Sequence, residues 1–529
     1  MNVTPRRLAC GLLLLALLVP SLASCAGLNS VVDSVSGPRG VLHVAGDTPP
    51  TLDPALAQDT VSFGYLIQLF SGLVRLDSKL NILPDIAASW EIENSGRTYL
   101  FHLKESARFQ DGRAIRAEDV RYSFDRALDP ATRSPTASTY LIDILGARER
   151  LNGTATAVSG IEVVDPLTLK VTIDAPKGYF LAKLTYATGL VVDSKNVGSG
   201  LDWATHPNVS GPFSLKSFVP HASLILARNG RYFGTLPTLA EVDYYLGADS
   251  PVGLYQKGSL DIVTLGLGDI PMATDPANPI HNQLIVTPLL SLFYIGMETR
   301  LKPFDDPKVR LAFAYATNKK VLTNGPYRGL RTIAKGIIPP GMPGFDSAFS
   351  GIPYNPEKAR SLLAESSYGG PANLPKITLS ASPGMGSIIE GFSQMYHDNL
   401  GVDVAPVVLQ NSMMDDLAQG RVQMFLTGWV ADYPDPQDFV EILFGGNNVL
   451  NFTRYNNPRL TQILSQAQDE ADASTRNRLY ADGESVIVAD AASIPLYFDT
   501  EYDLVQPRVK GLTISPMGIV SFDGVTVSG

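Results

Sequence analysis

The chain has little cysteine. Its 529 residues include only Cys10 and Cys25, and Cys10 lies within an apolar N-terminal segment. If this segment is cleaved before Cys25 and Cys25 is acylated, the mature protein has neither a free thiol nor a disulfide. A cysteine nucleophile, a cysteine-bound zinc ion and disulfide cross-links are then excluded. Stability must come from core packing, which a chain of this length permits.

The sequence motifs of common catalysts are missing as well. The chain has no G-x-S-x-G, no G-x-x-x-x-G-K-[ST], no H-E-x-x-H and no G-x-G-x-x-G. The six histidines form no local ligand pair, since they are far apart in the sequence: His43, His102, His206, His221, His281 and His397. We therefore expect neither an enzyme nor a bound cofactor, and no dedicated metal site.

Positive charge is scarcer than negative charge. The formal net charge is −10, and cleavage before Cys25 would remove two arginines and no acid, which leaves −12. An acidic surface without a Lys/Arg-dense run repels phosphate backbones, so nucleic acid binding is not expected. Beyond the N-terminal segment no apolar run is long enough for a transmembrane helix. The remaining balance, 45% hydrophobic and 18% charged, is typical of a globular chain of two or three domains.

The N-terminus has the pattern of a bacterial lipoprotein signal. Arg6 and Arg7 precede the almost wholly apolar Gly11–Val19, which is too short to cross a bilayer of ~30 Å. The run L-A-S-C then ends at Cys25, so we expect cleavage of a signal peptide at residues 1–24 and lipidation of Cys25. An ordinary signal peptide that happens to end beside a cysteine is the alternative. The residues around the two arginines favour Sec over twin-arginine export.

The rest of the chain predicts a flexible tether followed by mixed helices and strands. Residues 25–40 are small and polar, as in a tether. Apolar alternation and short apolar runs predict strands at residues 41–44, 98–103, 167–173, 377–380, 424–426 and 494–498. Helical spacing and capping signals predict helices at residues 60–72, 117–127, 307–316, 356–364 and 388–400, and two more within 459–490. This mixture indicates an α/β or α+β chain with more than one lobe.

The segment from Thr427 to Phe439 is the densest in functional groups. Gly428, just after a predicted buried strand, would let another backbone approach closely. Asp435 is predicted to cap a helix that begins with Pro436. Asp432 has two interpretations: a turn aspartate bound to its own backbone, or a carboxylate held in a cleft for a cationic ligand group.

Short motifs occur in a specific order along nearly the whole mature chain. They are L-D-P-A at 52–55, L-F-S-G-L-V-R-L-D at 69–77, L-P-D-I-A-A-S-W at 83–90, Y-L-F-H-L-K at 99–104, F-Q-D-G at 109–112, A-E-D-V at 117–120, G-P-F at 211–213, the segments 307–317 and 428–436, and I-P-L-Y at 494–497. One motif alone would be weak evidence, but their shared order is specific. In this order the chain resembles family 5 extracellular solute-binding proteins, the oligopeptide and dipeptide receptors of ABC importers.

The resemblance implies an α/β, two-lobed periplasmic-binding-protein-like fold (class II type) with an extra domain inserted in the first lobe. Lobe I would comprise residues 38–75, 187–292 and 495–529. The extra domain would be residues 76–186, and lobe II residues 293–494. The ligand would lie between the lobes, and two chain crossings would act as hinges.

The resemblance also implies ligand contacts and partners. In peptide-binding members the aspartate of W-x-x-D pairs with the peptide's α-ammonium, and main-chain contacts come from two segments. The expected ligand-binding residues are therefore Asp432, Trp429, Gly428, Val430, Ser71, Gly72 and Leu73. The implied role is a monomeric, lipid-anchored receptor on the extracytoplasmic face of the cell membrane. It would bind small peptides and deliver them to the permease subunits of an ABC transporter.

Two departures from the family pattern leave the ligand open. Ser71 stands where the family usually has an acid before Gly-Leu, and Leu426 stands where an oligopeptide receptor carries an arginine for the peptide carboxylate. Other members take up nickel chelates, oligosaccharides or opines, so a non-peptide ligand is one alternative. A regulatory or scaffolding lipoprotein with the same fold is another.

Overall fold

A computed structural model describes residues 40–200, 202–247, 249–410, 413–446 and 448–528. The predicted signal peptide, the lipidation site Cys25 and all of the tether except Gly40 lie outside the described residues. Within the described ranges, no helix is both long enough and apolar enough to span a membrane.

The strands of the described residues form three larger sheets and three two-stranded sheets. In chain order they are β1 (Val41–Gly46), β2 (Val74–Leu76), β3 (Ile82–Pro84), β4 (Ala87–Glu93), β5 (Thr98–Leu103), β6 (Ile161–Asp165), β7 (Thr168–Thr172), β8 (Phe213–Val219), β9 (Ser223–Arg228), β10 (Glu241–Leu246), β11 (Ile262–Thr264), β12 (Leu284–Pro288), β13 (Ser291–Met297), β14 (Thr332–Ile333), β15 (Ile377–Ala381), β16 (Val404–Val408), β17 (Met424–Val430), β18 (Ser493–Phe498), β19 (Thr500–Val505), β20 (Val509–Lys510), β21 (Thr513–Ile514), β22 (Val520–Ser521) and β23 (Thr526–Val527).

The α-helices are distributed along the whole described chain. In order they are α1 (Thr60–Leu69), α2 (Ala117–Ala127), α3 (Ala137–Tyr140), α4 (Ala147–Leu151), α5 (Phe180–Lys183), α6 (Ser194–Val197), α7 (Pro251–Gln256), α8 (Ile270–Thr274), α9 (Pro307–Ala316), α10 (Lys319–Asn324), α11 (Pro356–Ala364), α12 (Gly386–Leu400), α13 (Met413–Ala418), α14 (Gln437–Phe444), α15 (Pro458–Asp469) and α16 (Ala473–Ala489).

A seven-stranded sheet is assembled from three distant parts of the chain. Its order is β12-β19-β11-β1-β10-β9-β8. β1 pairs in parallel with β10 and β11, and the other pairs are antiparallel. Leu42 of β1 is fully buried in the same apolar cluster as Leu66 and Leu69 of α1. This helix therefore packs on the sheet through its apolar side.

A six-stranded sheet, ordered β14-β18-β13-β17-β15-β16, forms the centre of the second lobe. Side chains of β13 alternate between two apolar clusters, as expected for a strand buried on both faces. Leu292 belongs to the cluster of Phe439 on α14, while Ile295 belongs to the cluster of Phe313 on α9. Helices thus cover both faces of this sheet.

A smaller antiparallel sheet lies between α1 and β8 in sequence. Its order is β4-β5-β7-β6, and its apolar face packs with α2. Phe101 on β5, Leu169 on β7 and Phe124 on α2 are fully buried in one cluster. The molecule is therefore mixed α/β, with two large sheets and one additional small one. The domain limits given above stay a prediction.

The chain crosses between the two large sheets at two adjacent points. β12 leads into β13 through Leu289 and Leu290, and β18 leads into β19 through Asp499. The Leu289 N–H donates to the Asp499 carbonyl at 3.0 Å, and the Asp499 N–H donates to the Ser291 hydroxyl at 2.9 Å. The two crossings are therefore bonded to each other.

Several predicted elements are confirmed, and others differ in where they begin or end. The helices at residues 117–127, 307–316 and 356–364 begin and end at the predicted residues. The helix predicted over 60–72 ends at Leu69, because the backbone of the next residues bonds to other segments and Phe70 is extended. The strand predicted over 424–426 continues to Val430 along β13. The helix predicted to begin with Pro436 begins at Gln437.

Candidate functional site

Strand β17 has an unpaired edge near its end. On one side it pairs with β13 along its whole length, up to Val430 opposite Ser291. On the other side, among the described residues, β15 pairs with it only at Met424 and Phe425. Residues 426–430 thus form a half-paired strand within the sheet. Such an edge presents backbone donors and acceptors to another extended chain.

The backbone groups of Gly428 and Val430 face this edge. The Ala431 N–H donates to the Leu290 carbonyl at 2.7 Å, which places residues 431, 429 and 427 in the pairs bonded to β13. Because hydrogen-bonding directions alternate along an antiparallel strand, Gly428 and Val430 direct theirs to the opposite side. An extended ligand can pair there as an added strand.

The close neighbour of Gly428 within the chain is an aromatic ring. A Cβ atom at this position would lie 2.7 Å from ring atoms of Phe293 on β13. That ring stacks on Tyr497, with centroids 4.7 Å apart. Glycine at this position therefore leaves room for the Phe293 ring, and the close approach of another backbone at Gly428 stays a prediction.

Asp432 follows β17 and is positioned by Asp438 of α14. Asp438 Oδ2 accepts hydrogen bonds from the Asp432 backbone N–H at 2.9 Å and from the Trp429 indole N–H at 3.2 Å. Asp438 is fully buried. One side chain therefore orients both the tryptophan and the aspartate of W-x-x-D.

The carboxylate of Asp432 meets a tyrosine from a distant part of the chain. The Tyr140 hydroxyl donates to Asp432 Oδ2, although the two residues are 292 positions apart. Tyr140 is held by stacking on Tyr186, with ring centroids 4.0 Å apart, and its ring lies edge-on to Tyr433 at 6.2 Å. This contact joins the small-sheet region to the lobe that contains β17.

Burial shifts both carboxyl groups towards their protonated forms. It raises the pKa of Asp432 to about 7, although the hydrogen bond from Tyr140 acts in the opposite direction. Burial also raises the pKa of Asp438 well above its ordinary value, and the neighbouring Asp432 charge adds to this. A cation placed beside this pair would be strongly favoured.

Asp435 has a structural role, as the sequence predicted. Its Oδ1 accepts from the Gln437 N–H at 3.0 Å, and its Oδ2 pairs with Arg476 at 2.6 Å. The predicted position of the cap is corrected, however, because Pro436 and not Asp435 is the residue directly before α14. The carboxylate still satisfies one N–H of the first turn.

Ser71 and Gly72 line a cavity of about 360 Å³ beside α1 and the C-terminal strands. Arg75, Tyr232 and Phe522 form other parts of its wall, whereas Asp432 and Trp429 do not line it. The structure therefore does not bring the two predicted groups of ligand contacts into this one cavity.

The backbone around Ser71 is already used within the chain. The Ser71 carbonyl accepts from the Val191 N–H at 2.9 Å, and the Gly72 N–H donates to Asp85 Oδ2 at 3.1 Å. Leu73 is fully buried in the cluster of the small sheet. The ligand contacts predicted for Ser71, Gly72 and Leu73 stay a prediction.

Leu426 lies inside the lobe and not at its surface. It is 4% exposed and belongs to the apolar cluster of Ile295 and Phe313. It offers no group that could bind a ligand carboxylate.

The sequence did not identify Tyr140 and Asp438 as parts of the site. The sequence contains only a weak indication of Asp438, namely that it is a second acid six residues after Asp432, at the same turn. It contains none of Tyr140, because only the folded chain places that residue against Asp432.

The fold is a two-lobed periplasmic-binding-protein-like fold of the class II type. Two α/β lobes are joined by two adjacent crossings, and a small extra sheet accompanies them. A half-paired strand lies beside a buried carboxylate. Residues 81–451 match the family described as "Bacterial extracellular solute-binding proteins, family 5 Middle". This match covers more than half of the chain, and the protein belongs to that family.

Relatives of known name share about a quarter of their residues with this chain. The oligopeptide-binding protein OppA of Bacillus subtilis strain 168 is 27% identical over 534 residues, which covers 97% of both chains. The periplasmic murein peptide-binding protein MppA of Escherichia coli strain K12 is 29% identical over 493 residues, 90% of both. Heme-binding protein A of Haemophilus influenzae is 26% identical over 513 residues, 92% of both.

Solved structures of MppA agree with the fold. The Escherichia coli murein tripeptide binding protein superposes with a TM-score of 0.82 at 27% identity, covering 93% of this chain and 99% of that chain. The unliganded open form of MppA gives a TM-score of 0.72, covering 93% and 98%. This chain therefore superposes less well on that open form.

Proposed function

We propose that this protein is a lipid-anchored receptor, attached through Cys25, that captures peptides between its lobes and delivers them to the permease of an ABC transporter. Family membership supports a solute-binding role, and the names of OppA and MppA support a peptide ligand. The ligand would be bound as the lobes close at the two crossings.

The unpaired edge of β17, with Asp432 just beyond it, carries the proposal. A peptide in extended conformation would exchange hydrogen bonds with Gly428 and Val430. Its α-ammonium would then reach the Asp432 carboxylate. Main-chain pairing gives affinity without reading side chains, so one site can accept many sequences.

Tyr140 would be the contact from the opposing side of the cleft. In the structure its hydroxyl donates to Asp432 Oδ2. An ammonium that arrives at this carboxylate shares the acceptor with Tyr140, and the charge-assisted bond is the stronger of the two. The ligand would thus be enclosed between Tyr140 and β17.

A non-peptide cationic ligand is the second candidate. Leu426 is buried in apolar surroundings, so it cannot replace an arginine that holds a peptide carboxylate. Heme-binding protein A also shows that a relative at this distance is named for a different ligand. A regulatory lipoprotein with this fold would bind no transported ligand at all.

Calorimetric titration with trialanine and N-acetyl-trialanine tests the proposal. We expect trialanine to bind, and acetylation to weaken binding about 30-fold or more, because the half-buried Asp432 carboxylate then loses its cationic partner. Asp432→Asn should weaken trialanine binding similarly and remove the difference between the two peptides. Asp482→Asn, a change at an exposed position of α16, is the matched control. Equal binding of both peptides would refute the role of Asp432.

The membrane anchor has its own test. Cys25→Ala should move the protein from the membrane fraction to the soluble or secreted fraction and abolish labelling with a fatty-acid analogue. Peptide binding by the variant should be unchanged. Membrane retention of the variant would contradict the anchor without affecting the binding role.

A further inference from the structure

Asp438 is a fully buried carboxylate with one unused oxygen. Oδ2 accepts from the Asp432 N–H and the Trp429 indole. Oδ1, by contrast, is buried without a hydrogen-bond partner among the described residues, and the residue is 0% exposed. A buried, unpaired carboxylate oxygen is costly, so it points to a group that the ligand-free chain does not supply.

A nearby acid in the same segment has the cationic partner that Asp438 lacks. Asp435, three residues before Asp438, pairs with Arg476 at 2.6 Å. In the part of the chain that the structure describes, no ion pair includes Asp432 or Asp438. Among the described residues, the site therefore has two neighbouring acids and no basic side chain in an ion pair with either of them.

The described groups that interact electrostatically with Asp438 include further acids and phenols. Asp432 and Asp435 face it from its own segment, and both raise its pKa. Among the phenols, Tyr140 and Tyr186 face it from the small-sheet side, and Tyr433 from the turn before α14. Two ionised carboxylates without a counter-cation repel each other in such surroundings, so the pair is expected to retain a proton.

We propose that Asp438 is the second carboxylate of a cation site that it forms with Asp432, and that an ammonium group entering this site displaces a proton which the pair holds before the ligand binds. The inference rests on the proposed function, since it concerns the same ligand end. The ammonium keeps its three N–H donors, the carboxyl O–H bond breaks, and the proton leaves to solvent. Asp432 and the unused Oδ1 of Asp438 then both accept from the ammonium.

This arrangement selects for an unsubstituted ammonium. A primary ammonium has three donors, enough for both carboxylates, whereas a neutral amide leaves one carboxylate protonated and gains only a neutral hydrogen bond. The ligand class is therefore a compound with a free primary ammonium at the end that reaches β17. Binding should also become tighter as pH rises towards 8, because less proton has to be displaced.

The proton count on binding is the direct test. Trialanine would be titrated into the protein at pH 6.5 in buffers of different ionisation enthalpy. We expect wild type to release roughly 0.5–1 proton per ligand, because burial raises the pKa of Asp432 to about 7 and that of Asp438 well above its ordinary value. Asp438→Asn keeps acceptors for Trp429 and for the Asp432 N–H, and should release clearly fewer protons than wild type, because Asp432 is then the one acid of the pair that can still give up a proton. Its affinity should fall about tenfold or more.

Asp438→Glu and Asp482→Asn complete the series. The glutamate variant should restore part of the proton release, whereas a merely structural role of Asp438 would show no such rescue. Asp482→Asn should match wild type. If Asp438→Asn binds and releases protons like wild type, the inference is wrong while the proposed function stands.

A ligand-free measurement keeps the two claims separate. If wild type binds no peptide, the proposed function fails, and the inference is then judged from urea unfolding of the free protein. Wild type should lose stability between pH 6 and 8 as the pair gives up its proton. Asp438→Asn should have a flatter profile. An unchanged slope in the variant would overturn the shared proton whatever the ligand is.

Discussion

Two buried carboxylate clusters show opposite ways of placing acids inside this protein. In one, Asp143 receives Lys177 at 2.6 Å and Lys183 at 2.8 Å, and the three side chains are at most 8% exposed. In the other, Asp432 and Asp438 face Tyr140 and have no basic partner among the described residues. The two lysines lower the pKa of Asp143 against the effect of its burial, while burial raises the pKa of both Asp432 and Asp438.

The difference separates a structural ion cluster from a binding site. A buried charge that is paired and hydrogen-bonded has a structural role in the fold, since removing either partner leaves an uncompensated charge. A buried acid without a cation gains most when a cationic ligand arrives. The presence or absence of a paired cation, more than burial, therefore distinguishes the structural carboxylates from those of the candidate site.

The largest expected effect comes from breaking the balanced cluster. Asp143→Asn removes the buried carboxylate that Lys177 and Lys183 share. We expect the free energy of unfolding at pH 7 to fall by about 3–5 kcal/mol, because two ammonium groups lose their buried partner. Urea denaturation followed by circular dichroism measures this.

Asp174→Asn is the control for that prediction. Asp174 also contacts Lys177, at 2.8 Å, but its side chain is 50% exposed. Its loss should cost about 1 kcal/mol or less. Because the pKa of Asp143 is lowered in the folded state, its contribution should be complete at neutral pH and disappear as pH falls through that lowered pKa. Equal costs for the two variants would contradict the comparison.

Removing Arg476 would turn the paired Asp435 into an unpaired acid like Asp438. Arg476→Gln should lower the free energy of unfolding by about 2–4 kcal/mol at pH 7, since a carboxylate that is 6% exposed loses its cation. The loss should shrink at pH 5, where protonation relieves the unpaired charge. The double variant Asp435→Asn/Arg476→Gln should recover much of the stability at pH 7. A cost independent of pH would indicate lost packing instead.

Neutralising Asp432 in the candidate site should raise the free energy of unfolding instead of lowering it. The folded-state pKa of Asp432 is raised to about 7 from an ordinary value of 3.8. The folded protein thus binds more protons than the unfolded chain between these values, and stability falls as pH rises through the window. Asp432→Asn should stabilise the ligand-free protein by about 1–3 kcal/mol at pH 8 and change little near pH 4. A destabilised variant at pH 8 would show that the Asp432 carboxylate has a structural role and stabilises the fold.

Sequence patterns predicted features that depend on residues close together in the chain, such as helix caps. Asp306 precedes Pro307 and its side chain accepts from the Lys308 N–H, and the helix after it begins and ends as predicted. The ordered motifs pointed to Asp432 in the same way. The pairings themselves bring together residues from distant segments, such as Tyr140 with Asp432 and Arg476 with Asp435. No periodicity or spacing contains that information, because it depends on how the lobes and the small sheet pack.

The extent of β17 shows the same limit on a smaller scale. Met424, Phe425 and Leu426 are apolar enough to predict a buried strand. The continuation to Val430 depends on hydrogen bonds from β13 and not on side chains. The unpaired edge was equally inaccessible, because it arises where β15 stops accompanying β17. Backbone partners decide both features.

The smallest expected effect comes from an ion pair that is neither buried nor unbalanced. Lys216 and Glu241 are 2.6 Å apart, with side chains 50% and 28% exposed. Lys216→Ala should change the free energy of unfolding by about 0.5 kcal/mol or less, because water and salt already screen both charges. Raising the salt concentration should remove even that difference, whereas it should leave most of the Asp143→Asn cost in place. A loss for Lys216→Ala as large as that for Asp143→Asn would mean that pairing itself, and not burial of the paired charges, determines which carboxylates hold this fold together.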